Sequence, residues 1–131
     1  VSRPRDALGR PLPHDADPAL VSPTVPARDD RTDDEAWHSA LAYLADGLPF
    51  HAHEVFEMRW RTARGEDRLA WQALAQWGAA LTHAARGNHV GARRIAERCL
   101  VNLDEVQHVP ASIDVDLVRS SCAALMAATS S

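Results

Sequence analysis

An all-α fold is predicted for this 131-residue chain: a compact bundle of about five helices, built from two helical hairpins plus a C-terminal helix, with an extended N-terminal arm. Three observations predict it. Apolar residues recur at helical spacing from Trp37 onward, and glycines at 47, 65 and 87 punctuate those stretches. No segment alternates with period two over a useful length, so a sheet is not expected.

Residues 1–32 hold six of the eight prolines, five arginines, five aspartates and no aromatic residue. Such a segment buries too little apolar surface to fold alone. It is expected to lie partly ordered across a helical domain at 33–131, anchored by Leu8, Leu12, Leu20 and Val21. Thr32-Asp33-Asp34-Glu35 reads as a capping box, after which Trp37, Leu41, Leu44 and Leu48 repeat at helical spacing. The first helix should end at Asp46, before Gly47 and Pro49. A second helix is expected over 50–64, stopped by Gly65. A third, with Glu66 and Asp67 at its positive end, should reach Arg86 and stop at Gly87. Asn88 caps a fourth helix running to about Leu103. Ser112 is expected to cap a fifth, with Asp114 and Asp116 in its first turn and Val118, Cys122, Leu125 and Met126 as its apolar side.

Sliding the chain by forty residues aligns Ala40-Leu41 with Ala80-Leu81, Gly47 with Gly87, Ala52 with Ala92 and Glu57 with Glu97, without a gap. This is the logic of tetratricopeptide-type hairpins, although two units are fewer than the ~3 that a free-standing array needs. Any glycine-turned helical hairpin shares part of the pattern.

Composition removes several functions. All fourteen basic residues are arginine, so a Schiff-base lysine, a phosphate-loop lysine and a serine–lysine dyad are excluded. The arginines alternate with acids in a chain of net charge −4, which argues against nucleic acid as a partner. Arg86, Arg93, Arg94 and Arg98 come nearest to a cluster, and a solvated helix face accounts for them. No apolar run approaches the ~20 residues of a membrane span, and no signal-peptide stretch is seen, so a cytoplasmic location is expected. Cys99 and Cys122 fit buried reduced thiols. A nucleophile elbow and a glycine-rich phosphate loop are both missing.

The chemistry concentrates in His53-Glu54-Val55-Phe56-Glu57-Met58-Arg59-Trp60. Residues four apart on a helix share a face, so one metal ion or one polar ligand could touch both His53 and Glu57. The pattern is His-Glu-x-x-Glu rather than the His-Glu-x-x-His of zinc proteases, so a protease inference fails. On a helical wheel Ala52, Phe56, Trp60 and Ala63 form an apolar sector, with His53, Glu57 and Arg64 along its edge. The third helix carries one polar stripe, Gln72, Gln76 and His83, ~16 Å long. Turned toward the second helix, the stripe would make His53, Glu57 and His83 a two-histidine, one-carboxylate set, with the glutamines orienting a ligand or water. Turned to solvent, it binds nothing. Arg68 and Arg86 flank it on the same side and favour solvent. His14, His38, His51, His89 and His108 read as solvated side chains.

Phe50-x-x-His53-Glu54-x-x-Glu57-x-x-Trp60, the Gln72–Gln76 stretch and Arg86-Gly87-Asn88-x-x-Gly91-Ala92 together resemble the uncharacterised domain of unknown function 309 family, over roughly residues 36–104. The resemblance implies an all-helical fold and a functional edge at His53, Glu57 and Trp60, with His83 where the family often has a histidine. Its members are sometimes labelled metal-dependent hydrolases, a label that rests on the motif itself. Trp77, Gly78 and Ala73 depart from the family's pattern and bear on how the third helix packs on the second. Two functions follow as expectations. In one, His53, Glu57 and His83 hold a divalent metal or small polar ligand, His53, Trp60, Gln72, Gln76 and Arg64 contact the ligand, and Glu54 or Glu57 serves as general base. In the other, the chain is a non-catalytic hairpin module for a protein partner, and the motif is structural.

Overall fold

Residues 3–128 are described by a computed structural model, in which the expected all-helical architecture is found. Five α-helices follow one another: α1 (Asp33–Ala45), α2 (Pro49–Thr62), α3 (Glu66–Ala85), α4 (His89–Glu105) and α5 (Val115–Ala127). No strand occurs among the described residues. Sequential helices pack as neighbours, and α3 sits at the centre with α2 and α4 on its two flanks and α5 touching it as well.

Local chemistry sets most of the boundaries. Both halves of the capping box form, Glu35 N–H donating to Thr32 Oγ1 at 3.1 Å and Thr32 N–H to Glu35 Oε1 at 3.0 Å. Gly47 and Gly87 adopt φ of +75° and +84° just past α1 and α3, a conformation that costs a residue with a Cβ. Asn88 Oδ1 accepts from Gly91 N–H at 3.0 Å and starts α4. The other helix ends fall within two residues of the sequence reading, and two differences move named side chains. Asp114, not Ser112, caps α5 by accepting from Leu117 N–H at 3.1 Å, while the Ser112 hydroxyl donates to Asp34. In α2 the last helical residue is Thr62, so Arg64 lies exposed in the link to α3 rather than on the helix edge.

The forty-residue offset has a structural counterpart. Trp37 and Trp77, which it also equates, stack on each other at 6.2 Å between ring centroids, joined by Phe56 at 6.4 and 5.9 Å. Equivalent positions of the two hairpins thus meet in the core. A carboxylate node ties the layers together, since Asp33 Oδ1 accepts from Arg59 Nε on α2 at 2.9 Å and from Trp71 Nε1 on α3 at 3.0 Å. Trp77 Nε1 donates to Ser121 Oγ at 2.8 Å and fixes α5. Cys99 and Cys122 are free and fully buried, and the Cys99 thiol is pushed up by its hydrogen bond to Cys122 and by burial.

The arm docks more firmly than its composition implies, and partly through other residues. Leu8 and Leu12 are half-buried, but Leu20 and Val21 are exposed. Val25 is buried in the core cluster instead, and Gly9 lies flat on the Phe50 ring. Arg86, expected on a solvated face, donates from Nε to Leu8 O at 2.9 Å. His51, expected to be solvated, is buried under the arm, where its Nε2–H donates to Pro23 O at 2.7 Å.

At Gly78 the third helix meets the second with no room for a side chain. A Cβ there would lie 2.7 Å from His53 Cα, a backbone atom that cannot rotate away. Gly78→Ala gains ~1 kcal/mol of helix propensity, yet overpacking of this kind costs ~1–3 kcal/mol. The variant is expected to unfold at a lower urea concentration than wild type with unchanged m-value; an equal or higher midpoint would show that α2 and α3 can part freely.

Candidate functional site

The polar stripe of α3 faces inward. Gln72 and Gln76 line a hollow of about 310 Å³ between α2, α3 and α4, opposite His53, Glu57 and Trp60, with Arg98 contributed by α4. Ala75 and Ala79 form its floor, where small side chains leave the space. The flanking-arginine argument for solvent fails for a specific reason: Arg86 turns to the arm, and Arg68 lies over the Trp60 ring at 5.3 Å.

His53 Nε2 stands 3.1 Å from Glu57 Oε2, and Arg61 donates to Glu57 Oε1 at 2.9 Å. Burial lowers the His53 pKa below the ordinary histidine value, outweighing the opposing pull of Glu57, and the nearby His83, Arg61 and Arg86 add to the lowering. At neutral pH the ring is therefore neutral. Gln76 Oε1 accepts from Asn102 Nδ2 at 2.8 Å, which leaves the Gln76 amide N–H groups for another acceptor. The Trp60 Nε1–H is buried with no acceptor among the described residues.

Three expected site residues do not line the 310 Å³ pocket, although two of them share other hollows with His53. Glu54 is half-buried and lines a hollow of about 240 Å³ on the Met58 and Arg61 side of α2, which His53 and Glu57 also line. Arg64 does not line the pocket. His83 lines a smaller hollow of about 100 Å³ together with His53, Phe50, Thr82 and Arg86, and does not line the larger pocket that holds Glu57. Its Nδ1 accepts from Asn88 Nδ2 at 3.1 Å, an orientation set because Asn88 Oδ1 is already committed to the cap of α4.

This donor set does not fit a divalent metal. Among the described residues no three His, Cys, Asp or Glu side chains are grouped to hold one, so His53, Glu57 and His83 do not assemble into the expected ligand set. Both Glu57 oxygens and one His83 nitrogen are already spent on protein partners. A residue that the sequence reading leaves on a solvated helix face belongs to the pocket: Arg98 extends from α4 into its lining. A helical wheel of α4 marks Arg98 as exposed, but not that α2 and α3 open a groove beside it.

The fold and pocket define a helical-hairpin domain with a polar groove on its central helix. Residues 37–95 are a DUF309 domain, matching the family model described as "Domain of unknown function (DUF309)". No curated protein and no solved structure matches the chain. No helix among the described residues is long and apolar enough to cross a membrane.

The lowered His53 pKa has a consequence for stability. The unfolded chain binds the proton more readily than the fold does, so the contribution of neutral His53 is fully present above ~6.5, the unfolded histidine value. It is lost as pH falls from there through the depressed folded value. The drop in melting temperature between about pH 7.5 and pH 5 should be smaller in His53→Gln than in wild type. Equal drops in the two proteins would mean that His53 titrates as in water.

Proposed function

We propose that this domain binds a small polar ligand, bearing a planar carboxylate or amide group, in the α2–α3–α4 groove. One observation carries the reading: the Gln72–Gln76 stripe turns away from solvent toward the His53–Glu57 pair. Both glutamines are half-buried, so their amides line the groove while staying open to a polar ligand. The Gln76 amide N–H groups and the Arg98 guanidinium offer donors, and Arg98 takes part in no ion pair among the described residues. Neutral His53 offers one ring N–H and one lone pair, with Glu57 and Arg61 beside it. Trp60 supplies an apolar wall.

Metal-dependent hydrolysis is not part of this reading, because the donor atoms it needs are already engaged. The second reading, a hairpin module in which the motif is structural, draws on the closed His53–Glu57–Arg61 chain of contacts.

Thermal-shift measurements with a panel of small carboxylates and primary amides separate the two. Binding at ~100 times Kd adds ~2.7 kcal/mol, enough to raise the melting temperature by several degrees. Such a shift is expected in wild type, and its loss in Gln72→Leu and Arg98→Ala. If no compound moves wild type while His53→Ala melts clearly lower, the motif is structural and the ligand reading falls.

A further inference from the structure

The outward face of α4 holds a pattern that the ligand pocket does not use. Val90 and Val101 are 50% and 53% exposed, and Arg94 and Glu97 between them are exposed as well. Their spacing of four, three and four residues gathers them within ~60° on the helical wheel. They lie opposite Ala92, Ala96, Cys99 and Leu103, which pack into the core. Exposed valines taken singly are ordinary. Their order is not.

Read along α4 the seam is Val90, Arg94, Glu97, Val101, and it is its own complement when reversed. Laid antiparallel on a second α4 about a midpoint between Ile95 and Ala96, each Val90 meets Val101 of the second copy. Each Arg94 then meets Glu97 of the second copy. A four-three-four seam is the a/d spacing of coiled-coil contacts, and a two-fold contact requires a self-complementary patch of this kind. The parallel arrangement would set arginine on arginine and glutamate on glutamate, so charge fixes the direction. Neither Arg94 nor Glu97 takes part in an ion pair among the described residues. Both are free to pair across the seam.

We propose that the chain forms a two-fold homodimer in which α4 packs antiparallel on α4 of a second copy, through Val90–Val101 layers and Arg94–Glu97 ion pairs. A hollow of about 490 Å³ beside the seam, lined by Arg94, Glu97, Arg98, Val101, Gln76 and Asn102, is roofed by the second copy in this arrangement. It adjoins the ligand pocket through Gln76 and Arg98, so association also closes the rim of that pocket. The seam is only ~16 Å long, and a stable interface buries ~800 Å² on each partner. The dimer is accordingly concentration-dependent.

Sedimentation velocity of the full chain over a dilution series tests this. Wild type is expected to pass from monomer to dimer as concentration rises. Arg94→Glu and Glu97→Arg each place like charges across the seam, so each alone stays monomeric with a wild-type melting temperature. Mixing the two variants restores opposite signs at every pair and brings back a dimer containing one copy of each. Three results overturn the proposal: wild type monomeric at every concentration, a dimer indifferent to both variants because another face makes it, or single variants that lose the dimer without recovery on mixing.

Discussion

The contact between α2 and α3 at Gly78 is the constraint on which the rest of the structure depends. A residue without a Cβ lets the His53 backbone sit where any side chain on α3 would collide with it. The neighbouring residues are small as well, with Ala52 on α2 and Ala75 and Ala79 on α3. Such an approach buries most of His53, whose Nε2 stands 3.1 Å from Glu57 Oε2. It also sets the width of the groove that α4 closes from the far side. The lowered pKa of His53 is thus a consequence of helix packing as much as of the histidine's neighbours.

Why α2 stays in register against that contact is explained by two attachments outside the groove. Asp33, at the start of α1, accepts from both Arg59 and Trp71, so a single carboxylate joins α1, α2 and α3 near one end of the hairpin. At the other end the arm clamps Phe50. Arg5 and Arg86 each lie over that ring, at 5.2 and 5.9 Å, and the absence of a side chain at Gly9 lets the arm backbone reach it. His51 then uses its one N–H on the arm carbonyl of Pro23. The arm therefore covers a histidine and the Arg86 stem that the helical domain alone would leave in water.

Elements governed by nearest neighbours were legible in the sequence, and those governed by distant chain were not. The capping box at Thr32, the glycine stops and the Asn88 cap depend on residues within four positions of each other, and all three form. His51 was misplaced because its partner, Pro23, lies twenty-eight residues away in a segment whose composition signals no fold. Ser112 lost the cap of α5 to Asp114 once its hydroxyl found Asp34, seventy-eight residues earlier. For the site, the spacing of His53, Glu57 and Trp60 gave one wall and the Gln72–Gln76 stripe gave the other. Whether they faced each other depended on where Arg68 and Arg86 went, which no helical wheel contains.

The hairpin repeat carries this reasoning one step further. Two units related by a forty-residue shift begin with equivalent faces, and their tryptophans, glycine turns and inner alanines still play equivalent parts. The chemistry diverges where the environments diverge. Position 53 is histidine against the groove, and its counterpart at 93 is a half-buried arginine. Glu57 is held between His53 and Arg61, whereas its counterpart Glu97 stands exposed on the outer face of α4. Because α3 covers α2 while nothing among the described residues covers the outer face of α4, one copy of the glutamate lines a polar groove. The other was left to solvent, with a charge still available for a contact outside the fold.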